Sequence, residues 1–226
     1  MITHAMLLAA GRGLRMGELT NACPKPLLRV FGKPLIVWHI EKLAQAGVRQ
    51  LVVNHAWQGA MIEQTLGDGS QWGVSIRYSA EAIALETSGG IAQALPYLGQ
   101  APFAVISADI FCDFDFAQLH AIELNLRHRQ LSAWCVLVKN PAHHLIGDFA
   151  CEHGLMIPRA RAASETLTYS GIGVYSPAMF ADVVPGKPER LLTQLTHGTQ
   201  TRQIGAQIHH GLWTDVGTPE RLAQLQ

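Results

Sequence analysis

Short apolar runs alternate along the chain with segments whose apolar positions recur every three or four residues. This is the pattern of a mainly parallel sheet with crossover helices. Ala5 to Ala9 reads as a first strand, and Leu27 to Val30 as extended chain. Leu35, Ile36, His39, Ile40, Leu43 and Ala44 then fall on one face of a helix that opens at Pro34 and closes at Gly47. Gln50 to Asn54 follows as a strand, because Leu51, Val52 and Val53 form a run too continuous for a half-exposed edge. A short helix ends at Gly67, Val74 to Tyr78 is a strand, and Gly89 and Gly90 lead into a helix towards Leu95. Phe103 to Ser107 is a buried strand ending in Ala108-Asp109. Farther on, Ser132 to Val138 and Tyr169 to Tyr175 read as strands. Pro177 to Val183, Glu189 to Thr196 and Pro219 to Leu225 read as helices. No internal repeat, low-complexity segment or linker interrupts residues 1–226, so one α/β domain is expected.

Composition narrows the classes. Hydrophobic residues make up 48% and charged residues 15%, the balance of a well-buried soluble enzyme. A formal net charge of zero argues against a nucleic-acid partner bound by phosphate neutralisation. No apolar run approaches the roughly 20 residues of a membrane span, and Met1-Ile2-Thr3-His4 lacks the regions of a signal peptide. No membrane partner and a cytoplasmic location are therefore expected. Cys23, Cys112, Cys135 and Cys151 are too scattered for a zinc knuckle or a redox pair. The pairs His143-His144 and His209-His210 point apart on either a helix or a strand, so neither is a ready chelate.

The first strand runs into Ala9-Ala10-Gly11-Arg12-Gly13-Leu14-Arg15-Met16. Glycines at this point let backbone N–H groups approach a phosphate closely. A Rossmann loop needs a third small residue where Met16 stands, and a P-loop needs a closing G-K-[ST]; both are absent. Arg15 is present instead, with Lys25 held between Pro24 and Pro26, and two cations with two glycines favour charged phosphate chemistry. On these facts alone a surface turn with solvated basic residues fits equally well.

Leu8-Ala9-Ala10-Gly11-x-Gly-x-Arg-Met, followed by Pro24-Lys25-Pro26-Leu27, resembles the signature of sugar-1-phosphate nucleotidylyltransferases. Leu85-Glu86-Thr87-Ser88-Gly89-Gly90 and Trp213-Thr214-Asp215-Val216-Gly217-Thr218-Pro219 extend the likeness. Within the family, Val53 to Trp57, His143 to Phe149 and Tyr169 to Gly173 are similar to the branch of N-acetylmuramate-1-phosphate uridylyltransferases. The resemblance implies a Rossmann-like, mainly parallel mixed sheet flanked by helices, the GT-A-like nucleotidyltransferase fold. It also implies a Mg²⁺-dependent transfer from UTP to a sugar 1-phosphate in the recycling of cell-wall peptidoglycan. Residues 1–110 would bind the nucleotide and 111–226 the sugar phosphate. Ala9, Ala10, Gly11 and Gly13 would cradle the triphosphate, and Gly89 and Gly90 the base or sugar. Arg15 and Lys25 would be catalytic, and Asn54, Asp148 and Gly171 would line the sugar pocket.

Asp109 is the first metal candidate, since it lies just beyond a buried strand at the edge where open α/β sheets bind ligands. Asp215 is the second, and two carboxylates with substrate phosphates suffice for Mg²⁺. Without the resemblance, an isolated aspartate at a strand end is more often a turn or a helix cap. Asp113-Phe114-Asp115 offers a rival D-x-D metal motif of the glycosyltransferase kind, although Asp115 also suits the N-cap of a following helix. A nucleotide-sugar-binding protein without turnover is the non-enzymatic alternative. Three places depart from the family pattern: Ala108 stands for glycine, Gly17-Glu18 for Arg-Pro or Leu-Pro, and Ser88 for glycine.

Overall fold

The structure is a computed structural model and describes residues 1–162 and 164–226. Strand β1 (His4–Leu8) leads into the glycine loop, which contains a 3-10 turn at Leu14–Met16 and the short helix α1 (Leu19–Ala22). A second 3-10 turn (Lys25–Leu27) precedes the small hairpin β2 (Arg29–Val30) and β3 (Lys33–Pro34). Helix α2 (Leu35–Gln45), strand β4 (Gln50–His55), helix α3 (Gly59–Leu66) and strand β5 (Ser75–Ala80) follow as the apolar pattern requires. Next come α4 (Glu86–Leu98), β6 (Phe103–Ser107), β7 (Ile110–Cys112) and α5 (Gln118–His128). The remainder holds β8 (Ala133–Val138), β9 (Phe149–Glu152), β10 (Leu155–Pro158), β11 (Thr168–Tyr175), α6 (Leu191–Gln200), β12 (Ile204–His209), β13 (Trp213–Asp215) and α7 (Pro219–Ala223).

Nine strands form one mixed sheet in the order β5-β4-β1-β6-β11-β8-β12-β10-β9. The stretch β5-β4-β1-β6 is parallel, whereas β11 runs against both β6 and β8. Leu8 pairs in register with Ser107, so the glycine loop and the turn carrying Asp109 leave the sheet at the same edge. Chain order also reverses there. From β1 the chain goes outward through β4 and β5, then returns to place β6 on the other side of β1. Such a switch point opens a crevice at the carboxyl ends of the strands.

Two apolar cores cover the two faces of the sheet. On one, Leu7, Val53 and Ile106 meet Ile36 and Ile40 of α2, Ile62 of α3 and Ile122 of α5. On the other, Met6, Val52 and Val105 meet Ile91 and Ala94 of α4 and Leu195 of α6. A third, small cluster joins Met16, Leu28, Val30 and Leu35 to Val216, Leu222 and Leu225.

Several expected boundaries are corrected. Leu27 closes a 3-10 turn, and extended chain begins only at Arg29. Gly89 and Gly90 lie inside α4, which starts at Glu86 and runs through Pro96 to Leu98. Pro96 supplies no N–H for the Ala92 carbonyl, and the helix ends two residues later. Pro177–Phe180 is a 3-10 turn rather than a helix, and α6 begins at Leu191.

Candidate active site

A cleft of about 600 Å³ opens at the switch point. Ala9, Ala10, Gly11, Gly13, Arg15, Lys25, Asn54 and Asp109 line it, so eight of the residues singled out in the sequence converge. A Cβ built on Gly11 meets nothing within 4 Å, and the backbone is therefore bare towards the cleft. Gly13 takes φ +68, which turns the chain into the 3-10 segment bearing Arg15. Thr20 braces that turn by donating from Oγ1 to the carbonyls of Gly13 (3.0 Å) and Gly17 (3.3 Å). Arg15 itself is exposed on the turn.

Lys25 is buried in its proline-flanked turn, and its Nζ donates to Asp109 Oδ2 at 2.5 Å. Asp109 enters the short ladder between β7 and β13, where Asp215 lies opposite Ile110. The Val216 N–H donates to the Asp109 carbonyl at 2.8 Å, so the two aspartates are near neighbours despite their distance in sequence. The Asp215 carboxylate lies 3.1 Å from Arg221 Nη2 and 3.0 Å from His143 Nε2. His39 of α2 anchors the same ladder through Nε2 to the Ile110 carbonyl at 2.9 Å. Burial pushes the His39 imidazole down to about 4, so it acts as a neutral donor. Among the described residues no group of three or more His, Cys, Asp or Glu side chains could hold a metal. Asp109, half-exposed, lines the cleft and Asp215 does not, but the backbone bond from Val216 keeps the two residues neighbours, and carboxylate oxygens are the ligands that Mg²⁺ takes together with phosphate and water.

Asn54 is the penultimate residue of β4, beneath the glycine loop. Its Oδ1 accepts from the Ala9 N–H at 2.9 Å, and its Nδ2 donates to Glu81 Oε1 at 2.7 Å. Glu81 Oε2 accepts from the Leu85 N–H at 2.8 Å, while burial raises this carboxyl above the usual range. Gly90 makes room for the pair: a Cβ there would lie 2.7 Å from Glu81 Oε1. Gly89 is filled differently, by the Lys187 carbonyl 2.3 Å from its virtual Cβ. Neither glycine lines the cleft; Glu86 and Thr87, one turn earlier, do. Glu86 holds φ +58, a strained conformation for a non-glycine residue at the cleft wall.

Asp148 and Gly171 lie outside the cleft lining. Asp148 Oδ1 faces His144 Nε2 at 2.8 Å, and Oδ2 accepts from the Tyr169 N–H at 3.0 Å. Gly171 occupies an irregularity in β11 with φ +81, and a Cβ there would fall 2.7 Å from Ser107 Oγ. Ser107 lines the cleft, which places this bulge directly behind the wall. The rival carboxylates have partners of their own. Asp113 Oδ1 faces His209 Nε2 at 2.8 Å, and Asp115 Oδ1 accepts from the Ala117 N–H at the entrance of α5.

The three departures from the family pattern find physical reasons. The Ala108 methyl is fully buried in the core rather than turned into the cleft. Gly17 takes φ +59 to close the 3-10 turn, and Glu18 is exposed. Ser88 donates to Gln194 Oε1 at 2.6 Å, joining α4 to α6. Sequence reasoning passed over Glu81, Ser107 and Arg12, all of which line the cleft. Arg12 stacks on Trp57 with 3.8 Å to the ring centroid and donates to the Thr20 carbonyl at 3.0 Å. Only its place between two glycines could have signalled this.

Comparison with known proteins adds to this geometry. Residues 4–226 match the family model described as nucleotidyl transferase. A curated protein of Neisseria meningitidis serogroup B, N-acetylmuramate alpha-1-phosphate uridylyltransferase, is 47% identical over 98% of this chain and 96% of its own. One of the same name from Caulobacter vibrioides is 32% identical, over 96% of this chain and 92% of its own. The solved structure of a UDP-glucose pyrophosphorylase complexed with UDP-glucose superposes with a TM-score of 0.79, covering 100% of this chain and 97% of that one. At 19% identity that likeness is one of fold.

Proposed function

From the premise that the chain belongs to the nucleotidyl transferase family, we propose that it transfers UMP from UTP to N-acetylmuramate 1-phosphate. The products are the uridine-diphosphate sugar and pyrophosphate. The observation that carries this reading is the meeting of Arg15, Lys25 and Asp109 over the bare backbone of Gly11. An oxygen of the sugar phosphate attacks the α-phosphorus in line, and the bond to the β-phosphate breaks. Positioning and charge stabilisation dominate such transfers. Arg15, exposed on its turn, neutralises the departing β- and γ-phosphates. Lys25 holds the attacking phosphate beside the α-phosphate, opposing the repulsion between two anions. No general base is needed, because a phosphate monoester is already ionised near neutral pH.

Mg²⁺, held by Asp109 and Asp215, would supply further positive charge to the phosphates. On this reading residues 1–110 carry the nucleotide and 111–226 the sugar phosphate. Gly171, behind Ser107, shapes the wall on the sugar side, and Asp148 orders the adjoining loop through His144 and Tyr169. Asn54, on the cleft wall, braces the loop through Ala9 and Glu81, and Gly89 and Gly90 contribute by packing, since protein fills the space beside them. No described helix is long and apolar enough to cross a membrane. The cytoplasm, where UTP is made, is the compartment this substrate pair suits, and recovery of cell-wall sugars is the context.

The test is a matrix of nucleoside triphosphates against sugar 1-phosphates with Mg²⁺, read as pyrophosphate release. UTP with N-acetylmuramate 1-phosphate should exceed every other pair. Silence across the matrix from folded protein would refute the reading, and a faster pair would replace the substrates named here.

A further inference from the structure

Trp57 stands just beyond β4, is 40% exposed and belongs to none of the three apolar clusters of the described residues. What its ring meets is a charge. The Arg12 guanidinium lies 3.8 Å from the ring centroid. Trp57 Nε1 donates to the Thr20 carbonyl at 3.2 Å, and Arg12 Nη1 donates to the same carbonyl at 3.0 Å. Beside them Gln58 Nε2 donates to the Asn21 carbonyl at 2.8 Å, and Arg12 Nη2 reaches Asn21 Oδ1 at 3.4 Å. The turn after β4 and helix α1 are thereby tied together around one cation.

That cation has no countercharge. Both acceptors of Arg12 are neutral, and among the described residues no carboxylate forms an ion pair with it. Lys25, by contrast, is already paired with Asp109. Arg12 lines the cleft, as do Gly11 and Gly13 on either side of it. A free arginine gives up rotamer freedom when it grips an anion. Here the indole face and the shared Thr20 carbonyl have fixed the guanidinium beforehand, and its remaining N–H groups stay available. We propose that Trp57 is a positioning residue, which holds Arg12 in place as a further cation for the triphosphate before the nucleotide arrives. Trp57 itself touches no substrate; it acts through Arg12. This rests on the reading that the glycine loop carries the triphosphate.

The experiment is calorimetric binding of UTP with Mg²⁺ to the full chain, beside steady-state pyrophosphate release. Arg12→Met should weaken UTP binding about tenfold or more, as loss of a charge-assisted hydrogen bond does. Trp57→Leu keeps apolar bulk without the aromatic face and should weaken it about threefold or more. It should raise KM for UTP more than it lowers kcat, and spare KM for the sugar 1-phosphate. Trp57→Phe, which restores an aromatic face, should recover most of the loss. Adding Trp57→Leu to Arg12→Met should cost nothing further. If it costs the same factor as in wild type, Trp57 does not act through Arg12 and the proposal falls. UTP binding unchanged in Arg12→Met, with wild type active, overturns it too and leaves the proposed activity standing. A wild type that binds no UTP overturns both. Thermal melting checks that each variant is folded. Should Trp57→Leu fail to fold, a multiply fluorinated tryptophan fed to the expressing cells weakens the ring's negative face with little change of shape. It should weaken UTP binding in wild type and not in Arg12→Met; an equal loss in both overturns the proposal.

Discussion

Asn54 is braced on both sides, its oxygen accepting from Ala9 and its nitrogen donating to Glu81. Asn54→Ala should therefore cost about 2–4 kcal/mol, because a buried N–H and a buried carboxylate both lose a partner. Urea denaturation would measure that loss, and unchanged stability would remove Asn54 from its place under the loop. The opposite profile is expected at the cleft surface. Lys25→Ala and Asp109→Ala should each lower kcat about 100-fold or more, as loss of a preorganised charge at a transition state does. Steady-state pyrophosphate release decides this, and a wild-type rate from either variant would refute its assigned role. Gly171→Ala combines a left-handed φ with a Cβ 2.7 Å from Ser107 Oγ. It should destabilise the fold by about 1–3 kcal/mol and disturb the wall that Ser107 shares.

At the scale of elements, α2 does more than cover the sheet. His39, buried within it, fixes the Ile110 carbonyl at the start of β7, one residue from Asp109. Its imidazole falls from the usual 6.5 to about 4 through burial. The unfolded chain thus takes up the proton first as pH drops, and stability is lost from about 6.5 down to about 4. The loss amounts to about 3 kcal/mol. His39→Gln should flatten that limb in urea titrations across this pH range; an unchanged slope would assign it to other groups.

The same element shows what a sequence can carry. β1, β4 and β6 were legible because parallel strands buried on both faces leave unbroken apolar runs, and Asp109 followed from its place at the end of one. β7 and β13 were not, since three-residue strands have no period and their pairing joins segments far apart in the chain. The partners of Asp215 were hidden for that reason, and with them Arg221 and His143. Gly89 and Gly90 misled because a glycine signals close approach without naming what approaches. Here it is the Lys187 carbonyl and the Glu81 carboxylate.

At the scale of the molecule, the ends of all four parallel strands feed one cleft. β5 delivers Glu81, β4 Asn54, β1 the glycine loop and β6 the turn to Asp109. The cleft therefore tolerates a mixed, antiparallel second half of the sheet, provided that β13 returns to lie against β7. Leu222 of α7 and Leu225 just after it secure that return by packing on Met16 and Val216. Leu222→Ala should cost about 2–4 kcal/mol as an unfilled cavity and raise KM for the triphosphate, because Met16 belongs to the loop that holds it. A normal KM at the reduced stability would uncouple that cluster from the loop.

This cluster bears on how the protein is made. Met16 meets Leu28, Val30 and Leu35 soon after the glycine loop is made, but its cluster closes only when Val216, Leu222 and Leu225 are synthesised. A nascent chain halted before Val216 lacks that support and Asp215 as well, however well its first strands have paired. Catalytic competence is then withheld until Val216 to Leu225 have been made, and a chain interrupted before them is left without the means to consume triphosphate.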